Sequence, residues 1–206
     1  MTGSAFTTGF LLSATLIVAI GAQNAYVLRQ GIRREHIGAI VGFCALSDLL
    51  LIAAGVGGLA AVLAGLPQLT AILTAVGAAF LTWYGLRALV RALRPQALHA
   101  ALDHRPLSLR AALMHAAGFT LLNPHVYLDT VLLMGSIGAR QPADARVWFI
   151  GGAAAASGVW FASLGYGARL LAPFFARAGS WRVLDSFVGA TMLALAMLLA
   201  RQALMR

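Results

Sequence analysis

Long apolar segments separated by short polar connections make up almost the whole chain. Each segment reaches the roughly 20 residues that a helix needs to cross a bilayer. The pattern predicts an all-α integral membrane protein with one transmembrane domain over residues 1–206, in which repeat one is about 1–93, a connecting loop about 94–108 and repeat two about 109–206. The six predicted transmembrane helices cover residues 5–28, 37–63, 68–93, 109–137, 146–172 and 182–204.

The fourth apolar segment is interrupted at its centre by the polar run Leu122-Asn-Pro-His-Val-Tyr-Leu-Asp129. Pro124 lacks a backbone donor and disfavours helical geometry at Asn123, yet Asn followed by Pro also suits the start of a helix. We therefore predict a helix that ends near the first residue of this run and restarts at Pro124. Non-helical backbone at membrane depth is tolerated only inside protein or beside a watery cavity. A proline kink would explain Pro124 alone, but the shared helix face of His125 and Asp129 favours a binding site.

The two halves of the chain repeat short stretches at matching positions. Three transmembrane helices in each half would make the halves insert in opposite orientations, which is the inverted-repeat plan of secondary transporters. We therefore predict two inverted three-helix repeats, with the first and fourth helices broken where they meet. The matched stretches are 47–57 with 157–167, 76–78 with 188–190, and 23–28 with 124–128.

Composition supports the membrane prediction and gives an orientation. The sequence is 61% hydrophobic and 10% charged, with a mean hydropathy of +0.85, whereas soluble domains are about 45–50% apolar and about 25% charged. The net charge of +9 comes from arginines, with no lysine, and these lie at the ends of apolar segments. This distribution indicates a lipid bilayer as the partner and not nucleic acid. With the N-terminus outside, eleven arginines are cytoplasmic and four are not, so the positive-inside rule predicts two periplasmic termini.

Several polar side chains inside the apolar segments are candidates for a binding site. Gln23 and Asn24 place amide groups in the first segment, at the position that matches the break in the fourth segment. We expect them to line the site, although interhelical hydrogen bonding is an alternative role. Asp48 and Asp129 must be neutral, paired or exposed to a cavity, because burying an ionised carboxylate is costly. They would carry protons, act as counter-ions for a cation, or form structural ion pairs. The helix restart at Asn123 suits a carboxylate, so the whole site suits a cationic amino acid.

The sequence lacks the residue patterns that are typical of enzyme active sites. Cys44 is the only cysteine, so no internal disulfide or CxxC redox pair can form. No Ser–His–Asp arrangement, HExxH motif or Cys/His cluster occurs. We therefore expect no catalytic residue, no metal site and no cofactor.

Three motifs resemble those of the LysE/ArgO family of amino-acid exporters. They are Gly21-Ala-Gln-Asn-Ala-Tyr-Val-Leu-Arg-Gln-Gly31, Ser47-Asp48 and Leu122-Asn-Pro-His-Val-Tyr-Leu-Asp-Thr130. The resemblance spans essentially the whole chain. It implies export of L-lysine or L-arginine, or both, from the cytoplasm across the bacterial inner membrane, driven by the membrane potential or a proton gradient.

The mechanism we expect is alternating access in an inverted-repeat bundle, with the site between the broken first and fourth helices. The expected substrate-binding residues are Gln23, Asn24, Tyr26, Asp48, Asn123, His125, Tyr127 and Asp129. Among them, the two acids would bind the cationic group or exchange a proton, and the two tyrosines would be wall or gate residues. A divalent-metal exporter of the same superfamily is an alternative, as is a membrane structural protein without transport activity. The sequence permits a homo-oligomer.

Overall fold

The computed structural model describes residues 2–17, 22–59, 67–93, 107–123, 126–171, 173 and 178–204. These ranges are almost entirely helical and contain no β-strand. Their helices are α1 Thr2–Ile17, α2 Ala22–Arg33, α3 Ile37–Ala54, α4 Pro67–Leu93, α5 Leu109–Leu121, α6 Tyr127–Ala139, α7 Arg146–Gly167 and α8 Ala178–Leu204. The all-α prediction is confirmed for this part of the chain.

Local departures from the α-helix occur in three of these elements. A π-helix over Gly55–Leu59 extends α3 and is kinked at Gly58, whose φ of 113° is not helical. Another, Tyr127–Met134, forms the first part of α6. A 3₁₀ turn over Ala168–Leu171 extends α7. Turns of π-helix are frequent at functional sites in helices, and the π-helix in α6 begins at Tyr127, inside the polar run of the fourth segment.

Candidate membrane spans were assessed by length and apolar composition. Three helices in the described ranges qualify: Ile37–Leu59, Arg146–Leu170 and Gly179–Leu198. A fourth candidate is the pair Gly3–Ile17 and Ala22–Arg33, whose axes differ by 80°. The chain is therefore a multi-pass membrane protein. The count of six spans stays a prediction.

The fourth apolar segment is divided into two short helices. The hydroxyl of Ser108 accepts a hydrogen bond from the Ala111 N–H at 3.2 Å and caps the start of α5. This helix ends at Leu121, one residue before the predicted stop, and α6 begins at Tyr127. Pro124, at which the restart was predicted, lies outside the described residues. With 13 residues, α5 is about 20 Å long, too short to cross the roughly 30 Å hydrocarbon core alone.

Helices of one half pack mainly against helices of the other half. The most extensive contacts join α4 to α8 and α1 to α7, followed by α3 with α7. Glycines allow the closest approach between α1 and α7. A Cβ atom at Gly152 would overlap the carbonyl oxygen of Phe6, and one at Gly9 would overlap that of Phe149. Small residues that let helix backbones approach are the usual means of helix packing in a membrane.

Candidate functional site

A cavity of about 310 Å³ lies at the two broken helices and is lined by both halves of the chain. This volume is at the lower end of the range for small-molecule sites, about 300–1,000 Å³. The first half contributes α1, α2 and α3, and the second contributes Asn123, α6 and α8. The lining residues are Ser13, Leu16, Ile17, Gln23, Asn24, Asp48, Ile52, Asn123, Val126, Asp129, Thr130, Met134 and Leu195.

Asp48 of α3 is a buried acid in the cavity lining, with 5% of its surface exposed. Its Oδ2 atom accepts a hydrogen bond of 2.7 Å from the hydroxyl of Ser157 in α7. Ser157 is fully buried. A hydroxyl fixes the orientation of the carboxyl group without neutralising its charge, so Asp48 keeps the capacity to hold a cation or a proton.

Asn24, near the start of α2, is held by groups from two other parts of the chain. Its Nδ2 atom donates to the carbonyl oxygen of Ile17 at 2.7 Å, across the bend between α1 and α2. Its Oδ1 atom accepts from the indole N–H of Trp160 at 3.2 Å. The side chain therefore satisfies a backbone carbonyl at a helix end, where such groups lack intrahelical partners, and it links the bend to α7.

The structure brings five of the eight predicted substrate-binding residues together. Gln23, Asn24, Asp48, Asn123 and Asp129 line one cavity. His125 lies outside the described residues, as does Gly21 of the first motif.

The two predicted tyrosines lie outside the cavity lining. Tyr26 is 2% exposed, and its hydroxyl donates to the carbonyl oxygen of Ala112 in α5 at 2.9 Å. The hydroxyl of Tyr127 donates to the carbonyl oxygen of Leu121 at 2.8 Å, across the break between α5 and α6. Neither side chain forms a wall of the cavity in this conformation.

Tyr26 belongs to an aromatic cluster, which we define as Tyr26, Phe80, Tyr84, His115 and Phe119. The ring centroids of Tyr26 and Phe119 are 5.1 Å apart, and those of Tyr84 and Phe119 are 4.6 Å apart in an edge-to-face arrangement. Aromatic pairs at such separations attract each other beyond their buried area. The aromatic cluster therefore holds α2, α4 and α5 together.

Sequence reasoning missed several polar residues at or near the site. Ser13 and Thr130 line the cavity, and Ser157 and Trp160 bind its polar side chains. Ser157 had a signal, since it lies in the stretch that repeats Ser47-Asp48, but its role as the partner of Asp48 was not predicted. Thr130 ends the third motif but was given no role there. Ser13 and Trp160 are single residues in apolar segments, and neither period nor motif distinguishes them from packing residues.

The cavity is suited to a cationic molecule that also carries hydrogen-bonding groups. Two carboxyl groups and three amides face it, and no basic side chain occurs among its described lining residues. Within the described part of the chain, no group of three or more His, Cys, Asp or Glu side chains is placed to hold a metal ion. Apart from the hydroxyl groups of Ser13 and Thr130, the remainder of the lining is apolar and would contact the aliphatic part of such a molecule.

The fold and the site together define a multi-pass membrane protein with an acidic internal cavity between two broken helices. A family model described as LysE type translocator matches residues 14–203. The chain belongs to the LysE family, and the resemblance seen in its three motifs is confirmed. It is a transporter and not an enzyme.

Curated relatives match nearly the whole chain. A candidate amino-acid transporter of Mycobacterium tuberculosis is 50% identical over 182 residues, which cover 88% of this chain and 90% of that protein. The arginine exporter protein ArgO of Yersinia enterocolitica is 44% identical over 199 residues, which cover 97% of each chain. A candidate amino-acid transporter of Aeromonas salmonicida is 45% identical over 197 residues, or 96% of each chain. No solved structure matches the chain.

Proposed function

We propose that this protein exports basic L-amino acids, arginine or lysine or both, from the cytoplasm across the bacterial inner membrane. The membrane potential or a proton gradient would drive the export. The observation that supports this proposal most directly is the cavity that Asp48 and Asp129 share with the amides of Gln23, Asn24 and Asn123. The carboxyl groups suit the cationic side chain, and the amides suit the α-amino and α-carboxyl groups. Similarity to a protein named an arginine exporter supports the same substrate class.

The proposed mechanism is alternating access in a six-span bundle made of two inverted repeats. Its support is the pairing of helices between the halves. The last helices of the two halves, α4 and α8, pack on each other, as do α3 and α7. A two-fold axis that exchanges the halves would exchange α4 with α8 and α3 with α7, so each of these contacts would lie on the axis. The cavity lies where the broken helices of the two halves meet, as binding sites do in transporters with this plan.

Individual roles follow for the predicted residues. Asp48 and Asp129 bind the cationic group or exchange a proton, while Gln23, Asn24, Asn123 and His125 contact the amino-acid backbone of the substrate. Tyr26 and Tyr127 act as gate residues. The hydroxyl of Tyr127 bridges the break between α5 and α6, and the hydroxyl of Tyr26 joins α2 to α5. These bonds support a gate, because the broken helices must move when the site opens.

Both termini are proposed to lie in the periplasm. In this orientation the loops that contain eleven of the fifteen arginines are cytoplasmic. We expect alkaline phosphatase fused to either terminus to be active, because it folds only in the periplasm, and green fluorescent protein at the same positions to be dark. The measurement is enzyme activity and fluorescence in whole cells. Fluorescence from both termini would reverse the proposed orientation.

Efflux from reconstituted vesicles tests the substrate class. Vesicles loaded with labelled arginine or lysine should lose label faster than protein-free vesicles, and vesicles loaded with labelled leucine should not. An imposed potential and an imposed pH gradient, applied separately, would show which of them drives the movement. Folded protein that moves neither basic amino acid would contradict the proposal. Efflux of a divalent metal ion from the same vesicles would then favour the alternative exporter.

A further inference from the structure

A buried ion pair lies away from the cavity, at the end of the bundle where many arginines are found. Arg29 Nη1 of α2 lies 2.7 Å from Asp185 Oδ1 of α8, and only 6% and 8% of the two side chains are exposed. Arg91 Nη2 of α4 lies 3.4 Å from the same oxygen atom. We call these three residues the Asp185 cluster. A buried carboxylate shared by two guanidinium groups joins three helices at one point.

The position of the Asp185 cluster relative to the cavity follows from the helices that carry it. On α2, Asn24 lines the cavity and Arg29 is five residues further on, about 8 Å along the axis. On α8, Leu195 lines the cavity and Asp185 is ten residues earlier, about 15 Å along the axis. The cluster therefore lies to one side of the cavity, toward the end that also contains Arg33, Trp181 and Arg182.

Along α2, Tyr26 of the aromatic cluster lies between Asn24 of the cavity and Arg29 of the Asp185 cluster. Its ring packs against Phe119. The guanidinium group of Arg91 lies over the ring of Tyr84, with its central carbon 5.7 Å from the ring centroid. From the cavity toward the arginine-containing end, α2 therefore carries first a residue of the aromatic cluster and then a residue of the Asp185 cluster.

The helices that carry these two clusters form two groups. α4 and α8 have their most extensive contacts with each other, and contact the other helices mainly at α2 and α5. The bond from Arg182 Nε to the carbonyl oxygen of Ala92, at 2.9 Å, lies within this helix pair. The bond from Arg29 to Asp185, in contrast, crosses from the pair to α2. The helix pair is thus attached to α2 through a charged contact whose separation would break the ion pair.

We infer that α4 and α8 move as one unit against the other helices during transport, and that the Asp185 cluster keeps the arginine-containing end closed until Arg29 and Asp185 separate. Asp185 is in this view a positioning residue and does not bind the substrate. The inference rests on the proposed transport function, in which the cavity must open to each side in turn. Once Asp185 is displaced, the positive charges of Arg29 and Arg91 favour further separation, because like charges repel strongly where water is excluded.

A thiol-labelling experiment tests this inference without measuring transport. The parent protein carries Ser13→Cys in the cavity and Cys44→Ala, so that one thiol is present. A membrane-impermeant maleimide is added to inside-out and to right-side-out vesicles, and the labelling rate is measured. The double variant Arg29→Gln/Asp185→Asn removes both charges of the most buried pair and leaves only Arg91 charged, whose side chain is 32% exposed. We expect it to label about tenfold faster from the arginine-containing side and no faster from the other side.

Two matched variants show whether the ion pair itself is responsible. Asp185→Glu keeps the charge and should label within about twofold of the parent. Arg182→Gln removes an arginine from the same end, but its bond lies inside the helix pair, so it should also label like the parent. A double variant that labels at the parent rate would overturn the inference, as would equally fast labelling of Asp185→Glu or Arg182→Gln.

A cross-link covers the case in which the double variant does not fold. Arg29→Cys/Asp185→Cys in the Cys44→Ala protein is joined with a cleavable bifunctional thiol reagent. Efflux of the labelled amino acid should fall at least about tenfold and return when the reagent is cleaved. Full efflux from the cross-linked protein would contradict the inference. If the Cys44→Ala protein with Arg29 and Asp185 intact moves neither arginine nor lysine, the proposed function fails, and the labelling rates alone decide the role of the Asp185 cluster.

Discussion

Replacing Asp48 with asparagine should reduce the efflux of arginine and lysine by roughly thirtyfold or more. The cause would be the loss of a buried negative charge that faces the cavity and has a hydroxyl as its partner. In the proposed complex Asp48 pairs with the cationic group of the substrate. Removing one member of a buried, hydrogen-bonded charge pair costs about 2–5 kcal/mol, and 1.4 kcal/mol corresponds to a tenfold change. The measurement is the initial rate of efflux of labelled amino acid from vesicles that contain equal amounts of folded protein.

Three further variants serve as comparisons for Asp48→Asn. Asp129→Asn should also reduce efflux, because Asp129 lines the same cavity. Ser157→Ala should have a smaller effect, about fivefold, since it removes one hydrogen bond and leaves the carboxyl group in place. Asp144→Asn, in an exposed loop, should have no effect. Unchanged efflux in both Asp48→Asn and Asp129→Asn would contradict the proposed site.

Replacing Gly152 with alanine should destabilise the folded protein by about 1–3 kcal/mol, the usual range for adding a methyl group to a tightly packed interior. The added Cβ atom would overlap the carbonyl oxygen of Phe6, which belongs to the backbone of α1 and cannot rotate away. The helices α1 and α7 must then separate along their contact. The expected result is a lower midpoint of thermal unfolding in detergent and a lower yield of folded protein from membranes.

The neighbouring Gly151 provides a matched control. It is exposed, and a Cβ atom there would meet nothing within 4 Å. Gly151→Ala should therefore unfold at the wild-type temperature or slightly above it, because alanine favours the helix over glycine. Equal stability of the two variants would mean that the contact between α1 and α7 does not contribute to folding as described.

The breaks and the cavity residues were open to prediction because their signals are local. Burying an acid or an amide in an apolar segment costs free energy, so Asp48, Asn24 and Asp129 can be recognised from the sequence alone. A proline after an asparagine interrupts a helix wherever the rest of the chain lies. The end of α5 at Leu121 and the identity of these cavity residues could be predicted from such short-range features.

The partners of these residues were not predictable in the same way. Ser157 is 109 residues from Asp48 in the sequence, and nothing in either segment specifies the packing of α3 on α7. Asp185 lies near the start of an apolar segment, close to Arg182, where a charged residue normally contacts water or lipid headgroups. Its burial depends on α2 and α4 packing beside α8. Tyr26 lies on the predicted helix but packs away from the cavity, because its ring is part of the aromatic cluster.

The pairing of helices between halves also determines the order of events during synthesis. α1 ends at Ile17, and its main partner α7 begins at Arg146. Synthesis proceeds at about 5–20 residues per second, so roughly 6 to 26 seconds pass between the synthesis of the end of α1 and that of the start of α7. Until then the Gly9 face of α1 contacts lipid, translocation machinery or transient neighbours. The first half thus enters the membrane without its final contacts, and native packing is completed only after the second half has been inserted.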